Sequence, residues 1–220
     1  GRIEEAIEQY SLALRIKPDF EEIHNNLGFV LYKQGRTEEA IEHYLEALRI
    51  LPDYVEAHYN LGNVLYKQGR TKEAIGHYLQ ALRINPDYKE VHNNLGFVLY
   101  KQGRTEEAIE HYLLALSIKP DYVEAHNNLG FIFNKQGRTE EAIEHYLEAL
   151  RINPESEEAH NNLGNVLNEQ GRTEEAIEHY LQALVIKPDY ESAHFNLGNV
   201  LNKQGHVEDA IKHYLEALRI

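Results

Sequence analysis

The chain has 220 residues, of which 36 are acidic and 22 basic, so its formal net charge is −14 with histidine counted as neutral. This balance argues against a nucleic-acid partner, because phosphate backbones are bound by clustered Lys and Arg, and it favours a protein or peptide partner. The absence of cysteine excludes disulfides and thiolate metal sites and leaves the compartment undetermined. No apolar run is long enough to span a bilayer, so the sequence predicts no membrane insertion.

A 34-residue period organises the sequence. It is marked by glycines at Gly1, Gly35, Gly69, Gly103, Gly137, Gly171 and Gly205, and by prolines at Pro18, Pro52, Pro86, Pro120, Pro154 and Pro188. The period predicts one elongated array over residues 1–220. It contains a second helix alone at 1–20, full repeats at 21–54, 55–88, 89–122, 123–156 and 157–190, and a last repeat at 191–220.

The first helix of each repeat is illustrated by residues 21–54. Leu27, Gly28 and Leu31 form a narrow apolar stripe at helical spacing. Gly35 follows as a residue able to take the left-handed conformation that ends a helix. The missing side chain of Gly28 predicts that a neighbouring helix approaches closely there.

The second helix of the same repeat is predicted to begin at Thr37. Glu38, in the first turn, suits the positive end of the helix dipole. Ala40 and Tyr44 belong to an apolar face, and Pro52 is expected to end the helix. Because two such helices cannot bury their apolar faces alone, the repeats are expected to stack on one another.

These motifs resemble the tetratricopeptide repeat family over the whole chain. The resemblance rests on Leu-Gly in the first helix, Glu-Ala-Ile and Ala-Leu in the second helix, and a closing proline, all at the 34-residue period. It implies an all-α, right-handed superhelix, a solenoid of helix-turn-helix repeats whose first helices line a concave groove. It also implies a protein–protein interaction scaffold. One departure is His24 and its equivalents, which stand where the family often has Trp.

Asparagines form the main candidate binding feature of the predicted groove. The first helix carries a second, polar face that includes Glu22, Asn25, Asn26, Phe29, Tyr32 and Lys33. One asparagine recurs in every copy, and we call this set the asparagine ladder: Asn26, Asn60, Asn94, Asn128, Asn162 and Asn196. Because a carboxamide both donates and accepts, the ladder could pair with the main chain of an extended peptide. The alternative is that each asparagine only braces the neighbouring repeat.

Aromatic residues on this face are the candidate anchors for a bound peptide. They are concentrated in the first three full repeats, at Phe29, Tyr32, Tyr59, Tyr66, Phe97 and Tyr100. Asparagines replace most of them later, at Asn134, Asn165, Asn168, Asn199 and Asn202. We therefore predict apolar anchors in the N-terminal half and polar contacts in the C-terminal half, with packing between repeats as the alternative for the aromatic residues.

Thirteen histidines raise the question of metal or acid–base chemistry. Twelve of them recur at two positions of the repeat, and no repeat adds a distinctive set of further ligands. We predict that they pack structurally, with adventitious metal binding as the alternative, and we expect no metal and no cofactor. Catalytic carboxylates need unlike environments, which near-identical repeats do not provide. We therefore expect no catalytic residues and no enzymatic activity.

The sequence as a whole predicts a scaffold that binds an extended peptide through the asparagine ladder and the aromatic anchors. The wording "AHNNLG" at Ala125–Gly130 resembles the repeat arrays of O-linked N-acetylglucosamine transferases, in which the ladder holds substrate peptide. One alternative is therefore a substrate-selecting arm of a larger enzyme. Another is a structural module that self-associates head to tail, because Ile220 ends the chain on the apolar stripe.

Overall fold

Residues 2–220 are described by a computed structural model of the chain, and they form thirteen α-helices without any strand. This result confirms the predicted all-α fold of paired helices. Gly1, the first of the recurring glycines, lies outside the described residues.

The chain divides into two compact units, which we call unit 1 (Gly1–Ile118) and unit 2 (Lys119–Ile220). Unit 1 contains α1 (Arg2–Ile16), α2 (Glu21–Lys33), α3 (Thr37–Ile50), α4 (Val55–Lys67), α5 (Thr71–Ile84), α6 (Lys89–Lys101) and α7 (Thr105–Ile118). Unit 2 contains α8 (Val123–Lys135), α9 (Thr139–Ile152), α10 (Glu157–Glu169), α11 (Thr173–Ile186), α12 (Glu191–Lys203) and α13 (Val207–Arg219). The single array over residues 1–220 stays a prediction.

The helix ends follow the recurring glycine and proline. Gly35, just beyond the end of α2, has a φ of 79° and so takes the left-handed conformation predicted for it. Helix α3 ends at Ile50, before Pro52. The same two signals recur at the same offsets in the next four helix pairs, from α4 and α5 to α10 and α11.

The two helices of a pair meet at the glycine of the first helix. A Cβ atom placed on Gly28 would lie 2.9 Å from Cε1 of Tyr44 and 3.0 Å from the carbonyl oxygen of Ala40. Only a glycine allows this approach, as the sequence predicted. The Tyr44 ring is consequently buried, with 1% of its surface exposed.

Successive first helices also contact each other within each unit, which places their polar faces side by side. In unit 1, α2 contacts α4 and α4 contacts α6, and in unit 2 the same holds for α8, α10 and α12. A groove in either unit is therefore built from equivalent positions of consecutive repeats. Asn25, expected on the polar face, is buried instead, with 6% of its surface exposed.

Candidate functional site

Unit 1 holds an aromatic cavity of about 310 Å³. It is lined by Tyr32, Asn63, Tyr66, Lys67, Tyr78, Asn94, Phe97 and Val98. The rings of Tyr66 and Phe97 meet edge to face, with their centroids 5.9 Å apart and an interplanar angle of 84°. Tyr32, Tyr66, Asn94 and Phe97, which the sequence marked separately, thus lie around one opening.

Unit 2 holds a larger cavity, of about 570 Å³, and its walls are mostly amide groups. It is lined by Phe131, Asn134, Lys135, Tyr146, Asn162, Asn165, Asn168, Glu169, Tyr180, Asn196, Asn199, Asn202 and Lys203. Asn162 and Asn196 are the two ladder residues among them. The cavity is therefore polar where that of unit 1 is aromatic, in line with the change of residue type along the sequence.

The ladder asparagines brace neighbouring repeats through their amide nitrogen. Nδ2 of Asn60 donates to Oδ1 of Asn25 at 3.0 Å, and Nδ2 of Asn196 donates to Oδ1 of Asn161 at the same distance. Nδ2 of Asn94 donates to Oδ1 of Asn63 at 2.8 Å. In Asn60 and Asn196 the bracing uses only the donor, so the side-chain oxygen remains as an acceptor. Oδ1 of Asn94 also accepts a hydrogen bond, 3.3 Å, from Nδ2 of Asn93.

The other three ladder residues differ in their surroundings. Asn26 and Asn128 are half-buried and do not line either cavity. Asn162 lines the unit 2 cavity and accepts only a long hydrogen bond, 3.5 Å, from Nδ2 of its neighbour Asn161. Its own amide nitrogen donates to no described residue, so Asn162 still offers a donor to the cavity.

Some of the candidate aromatic anchors contact other parts of unit 1. The ring of Tyr59 lies 5.3 Å from that of Tyr88, and its hydroxyl accepts a hydrogen bond from Asn94 at 3.3 Å. Packing between repeats therefore accounts for part of the surface of Tyr59. Tyr100 is half-buried and does not line the cavity.

Phe29 and Phe97 are more open, with 47% and 38% of their surfaces exposed. The ammonium groups of Lys33 and Lys101 lie 5.4 Å from the centres of the Phe29 and Phe97 rings respectively. A cation held over a ring face at this distance is weakly attracted to it. Lysines at the edge of the groove therefore cover part of these two aromatic faces.

Buried tyrosines of the second helices reach the floor of both cavities. Tyr78 lines the unit 1 cavity, and Tyr146 and Tyr180 line that of unit 2, although each has only 1% of its surface exposed. Burial raises the pKa of all three phenols well above the usual range. Their hydroxyls consequently stay protonated at any physiological pH and remain able to donate hydrogen bonds.

The recurring histidines form pairs that join the two helices of each repeat. In one pair, Nε2 of His58 lies 3.0 Å from the carbonyl oxygen of Pro52, and its Nδ1 lies 2.9 Å from Nδ1 of His77. Because the carbonyl can only accept, His58 donates from Nε2 and accepts at Nδ1 from His77. Equivalent pairs are His24–His43, His92–His111, His126–His145, His160–His179 and His194–His213.

This pairing gives the twelve histidines a structural role. Burial, followed by the charge of His58, lowers the pKa of His77 to about 4, so the pair is neutral near pH 7. The described residues include no group of three or more His, Asp or Glu side chains that could hold a metal ion.

The sequence did not single out the tyrosines of the cavity floor. Tyr146 and Tyr180 occupy the same repeat position as Tyr44, which the sequence assigned to an apolar face. Their side chains are buried, yet both residues line the cavity. The available signal was the use of Tyr rather than Phe at a buried position, because a buried phenol normally requires a partner for its hydroxyl.

Comparisons with known proteins agree with this architecture. The family model described as TPR repeat matches residues 1–35, 30–69, 62–103, 98–137, 132–171 and 164–205, and the model described as tetratricopeptide repeat matches residues 191–220. No curated protein matches the chain.

Solved structures of repeat proteins share the fold. YrrB, described as a TPR protein with an unusual peptide-binding site, is 24% identical, with a TM-score of 0.65 over 85% of this chain and 96% of that one. MamA is 26% identical, with a TM-score of 0.62 over 72% and 93%. The pilF protein of Pseudomonas aeruginosa is 23% identical, with a TM-score of 0.79 over 100% and 93%.

No helix among the described residues is long and apolar enough to cross a membrane. Family models match every residue of the chain, and proteins of this family are generally non-enzymatic scaffolds. The chain therefore belongs to the tetratricopeptide repeat family and is an all-α scaffold for protein–protein interaction.

Proposed function

We propose that this chain binds an extended peptide segment of a partner protein in the grooves formed by its first helices, and that it has no catalytic activity of its own. The observation that carries the proposal is the presence, in each unit, of an open cavity lined by asparagines and aromatic residues at equivalent repeat positions. An extended segment presents both N–H and C=O groups along its length, and side-chain amides can pair with either.

The asparagine ladder contributes acceptors to this binding. Because Asn196 donates its amide nitrogen to Asn161 of the neighbouring repeat, its Oδ1 atom is held in a fixed position. A fixed acceptor loses little conformational entropy when it pairs with a peptide N–H group. Bracing and peptide binding are thus compatible roles of the same side chain.

The aromatic residues of unit 1 contribute apolar contact area. Tyr32, Tyr66 and Phe97 surround the unit 1 cavity, and aromatic side chains in such positions often dominate binding energies. The carboxylates of Glu22 and Glu56 favour basic residues in the ligand, whereas Lys67 at the cavity favours acidic ones.

A peptide selection tests the proposal. A random peptide library displayed on phage is selected on the full chain, and the tightest peptides are synthesised and titrated against purified variants. For peptides that bind in unit 1, Tyr66→Ala and Asn94→Ala should each weaken binding, the tyrosine by about 30-fold if it acts as a hot spot. Lys72→Ala, an exposed change outside both cavities, is the control. Failure to select any peptide, or equal affinities in all variants, would reject the proposal.

Self-association is a second candidate function, favoured by exposed apolar side chains on α13. Ile211, Leu215 and Leu218 are exposed to 51%, 59% and 84% of their surfaces. Analytical sedimentation at increasing concentration measures association, and replacing these three residues by Lys should abolish it. A monomer at all concentrations would eliminate this function.

A substrate-selecting arm of a larger enzyme is the remaining candidate. It also requires peptide binding, so the same selection tests it, and failure to select any peptide would count against it as well.

A further inference from the structure

The floor of the unit 2 cavity is formed by one position from each of three consecutive repeats. That position is Phe131 in α8, Asn165 in α10 and Asn199 in α12. A tyrosine from the second helix of the same repeat lies behind each, namely Tyr146, Tyr180 and Tyr214. Phenylalanine and asparagine differ in polarity, so these repeats look chemically different in sequence.

In the two asparagine repeats, the tyrosine hydroxyl fixes the orientation of the amide. The hydroxyl of Tyr180 donates to Oδ1 of Asn165 at 2.8 Å, and that of Tyr214 donates to Oδ1 of Asn199 at 2.9 Å. Because the oxygen of each amide is engaged by the phenol, Nδ2 is left to face the other way. Neither Nδ2 atom donates to any described residue, and both asparagines line the cavity.

The same geometry occurs in unit 1, where a second contact supports the assigned orientation of the amide. Oδ1 of Asn63 accepts from the hydroxyl of Tyr78 at 2.7 Å and from Nδ2 of Asn94 at 2.8 Å. Two donors converge on this one oxygen. The amide of an asparagine at this position therefore turns its oxygen towards the tyrosine and its nitrogen towards the open side.

In the repeat that carries Phe131 at this position, the tyrosine hydroxyl has no hydrogen-bond partner among the described residues. Phe131 cannot accept a hydrogen bond, and the hydroxyl of Tyr146 bonds to no described residue, although only 1% of the Tyr146 surface is exposed. Among the described residues, the one enclosed side-chain polar atom without a partner is Asn127 Oδ1. The Tyr146 hydroxyl is therefore not enclosed, and it opens into the cavity that the residue lines.

We propose that the Tyr146 hydroxyl and the Nδ2 groups of Asn165 and Asn199 form a row of three hydrogen-bond donors that binds carbonyl oxygens along one edge of an extended peptide. This inference rests on the proposed peptide-binding function and names the groups of the peptide that unit 2 recognises. The substitution of Phe for Asn exchanges an amide donor for a phenol donor, so all three repeats present the same hydrogen-bonding character.

Neutral donors suit a main-chain carbonyl, which is itself neutral. The charged groups at the cavity are mixed, since Lys135 and Lys203 accompany Glu169, so no single charge is selected. The ladder complements the donor row, because Asn196 keeps its Oδ1 acceptor after bracing Asn161. Donors and acceptors of the cavity thus match the C=O and N–H groups of a peptide backbone and place few demands on its side chains.

The experiment uses the full chain and synthetic peptides obtained by phage selection. A peptide is retained when Asn202→Ala weakens its binding, because the Asn202 side chain lines the unit 2 cavity, not that of unit 1, and makes no hydrogen bond to a described residue. Tyr146→Phe should then weaken binding by about 3- to 10-fold, the effect of one neutral hydrogen bond, with an unchanged urea unfolding midpoint. Tyr10→Phe removes a hydroxyl in α1 that lines neither cavity and should change neither measurement.

A second measurement separates peptide contact from a structural role. Peptide analogues are made in which one amide carbonyl at a time is reduced to a methylene group. One of these analogues should bind the wild type and the Tyr146→Phe variant equally, because the acceptor of the hydroxyl has been removed.

The possible outcomes distinguish this inference from the function on which it rests. Equal binding of the intact peptide by wild type and Tyr146→Phe would overturn the donor row while leaving peptide binding established. If Asn202→Ala weakens the binding of none of the selected peptides, the donor row is likewise overturned and peptide binding is still established. If no peptide is selected, both the proposed function and this inference fail.

Discussion

The contact between Gly62 and Tyr78 provides the sharpest test of how the helix pairs are held together. A Cβ atom added at Gly62 would lie 2.8 Å from Cε1 and 2.9 Å from Cδ1 of the Tyr78 ring. The ring cannot easily withdraw, because it is 1% exposed and its hydroxyl is bonded to Asn63. Gly76 offers a matched control, since a Cβ atom there would meet nothing within 4 Å.

The expected effects of the two alanine substitutions have opposite signs. Overpacking of a close contact costs about 1–3 kcal/mol, and replacing a helical glycine by alanine gains about 1 kcal/mol. Both ring contacts of Gly62 would be below 3.0 Å, so the overpacking cost lies in the upper part of its range, about 2–3 kcal/mol. After the helical gain is subtracted, Gly62→Ala should lower the free energy of unfolding by about 1–2 kcal/mol. Gly76→Ala in α5 should raise it by about 1 kcal/mol.

Urea denaturation followed by far-UV circular dichroism measures both variants. Repeat arrays can unfold in more than one step, so the unfolding midpoints are compared before any free energy is fitted. A Gly62→Ala variant that matched or exceeded the wild type in stability would refute the close-contact argument. A destabilised Gly76→Ala variant would show that the position is not an ordinary exposed helical site.

Three further predictions concern the side-chain hydrogen bonds. Burial lowers the pKa of His77 to about 4, below the value near 6.5 of an unfolded histidine. The neutral His77 side chain therefore contributes its full stabilisation above about pH 6.5, and this contribution is lost as the pH falls towards 4. The urea midpoint should fall over this range, less so in His77→Gln, and an equal fall in both proteins would contradict the assignment. Asn196→Ala should lower stability by about 1–3 kcal/mol, because Oδ1 of Asn161, which is 4% exposed, loses its partner. An unchanged midpoint would mean that water replaces that bond. Arg172→Ala, which breaks an exposed ion pair with Glu175, should change the free energy of unfolding by less than about 1 kcal/mol, and a larger loss would show a role beyond that pair.

The positions of the individual groove residues could be predicted only in part from sequence. Helical spacing placed Asn94 and Phe97 on one face, and the structure brings both to the unit 1 cavity. The same spacing placed Asn25 beside them, yet Asn25 is buried and accepts a hydrogen bond from Asn60 of the next repeat. Spacing within one helix does not reveal how closely the first helix of the following repeat approaches.

The sequence by itself determined the features that are local or strictly periodic. The recurring glycine indicates the left-handed conformation that Gly35 adopts after α2, and the proline indicates the end of α3. Each helix pair can therefore be predicted from one repeat. The family follows from the same signals, because its motifs recur at a fixed period.

Only the tertiary structure decided which polar atoms remain for a ligand. Asn165 and Asn196 have the same side chain but use different atoms in their internal hydrogen bonds. The amide oxygen of Asn165 accepts from the hydroxyl of Tyr180, whereas the amide nitrogen of Asn196 donates to Asn161. The first offers a donor to the cavity and the second an acceptor. This difference arises because a hydrogen bond depends on distances between neighbouring helices, and packing fixes those distances to within a few tenths of an ångström, about the range over which such bonds form.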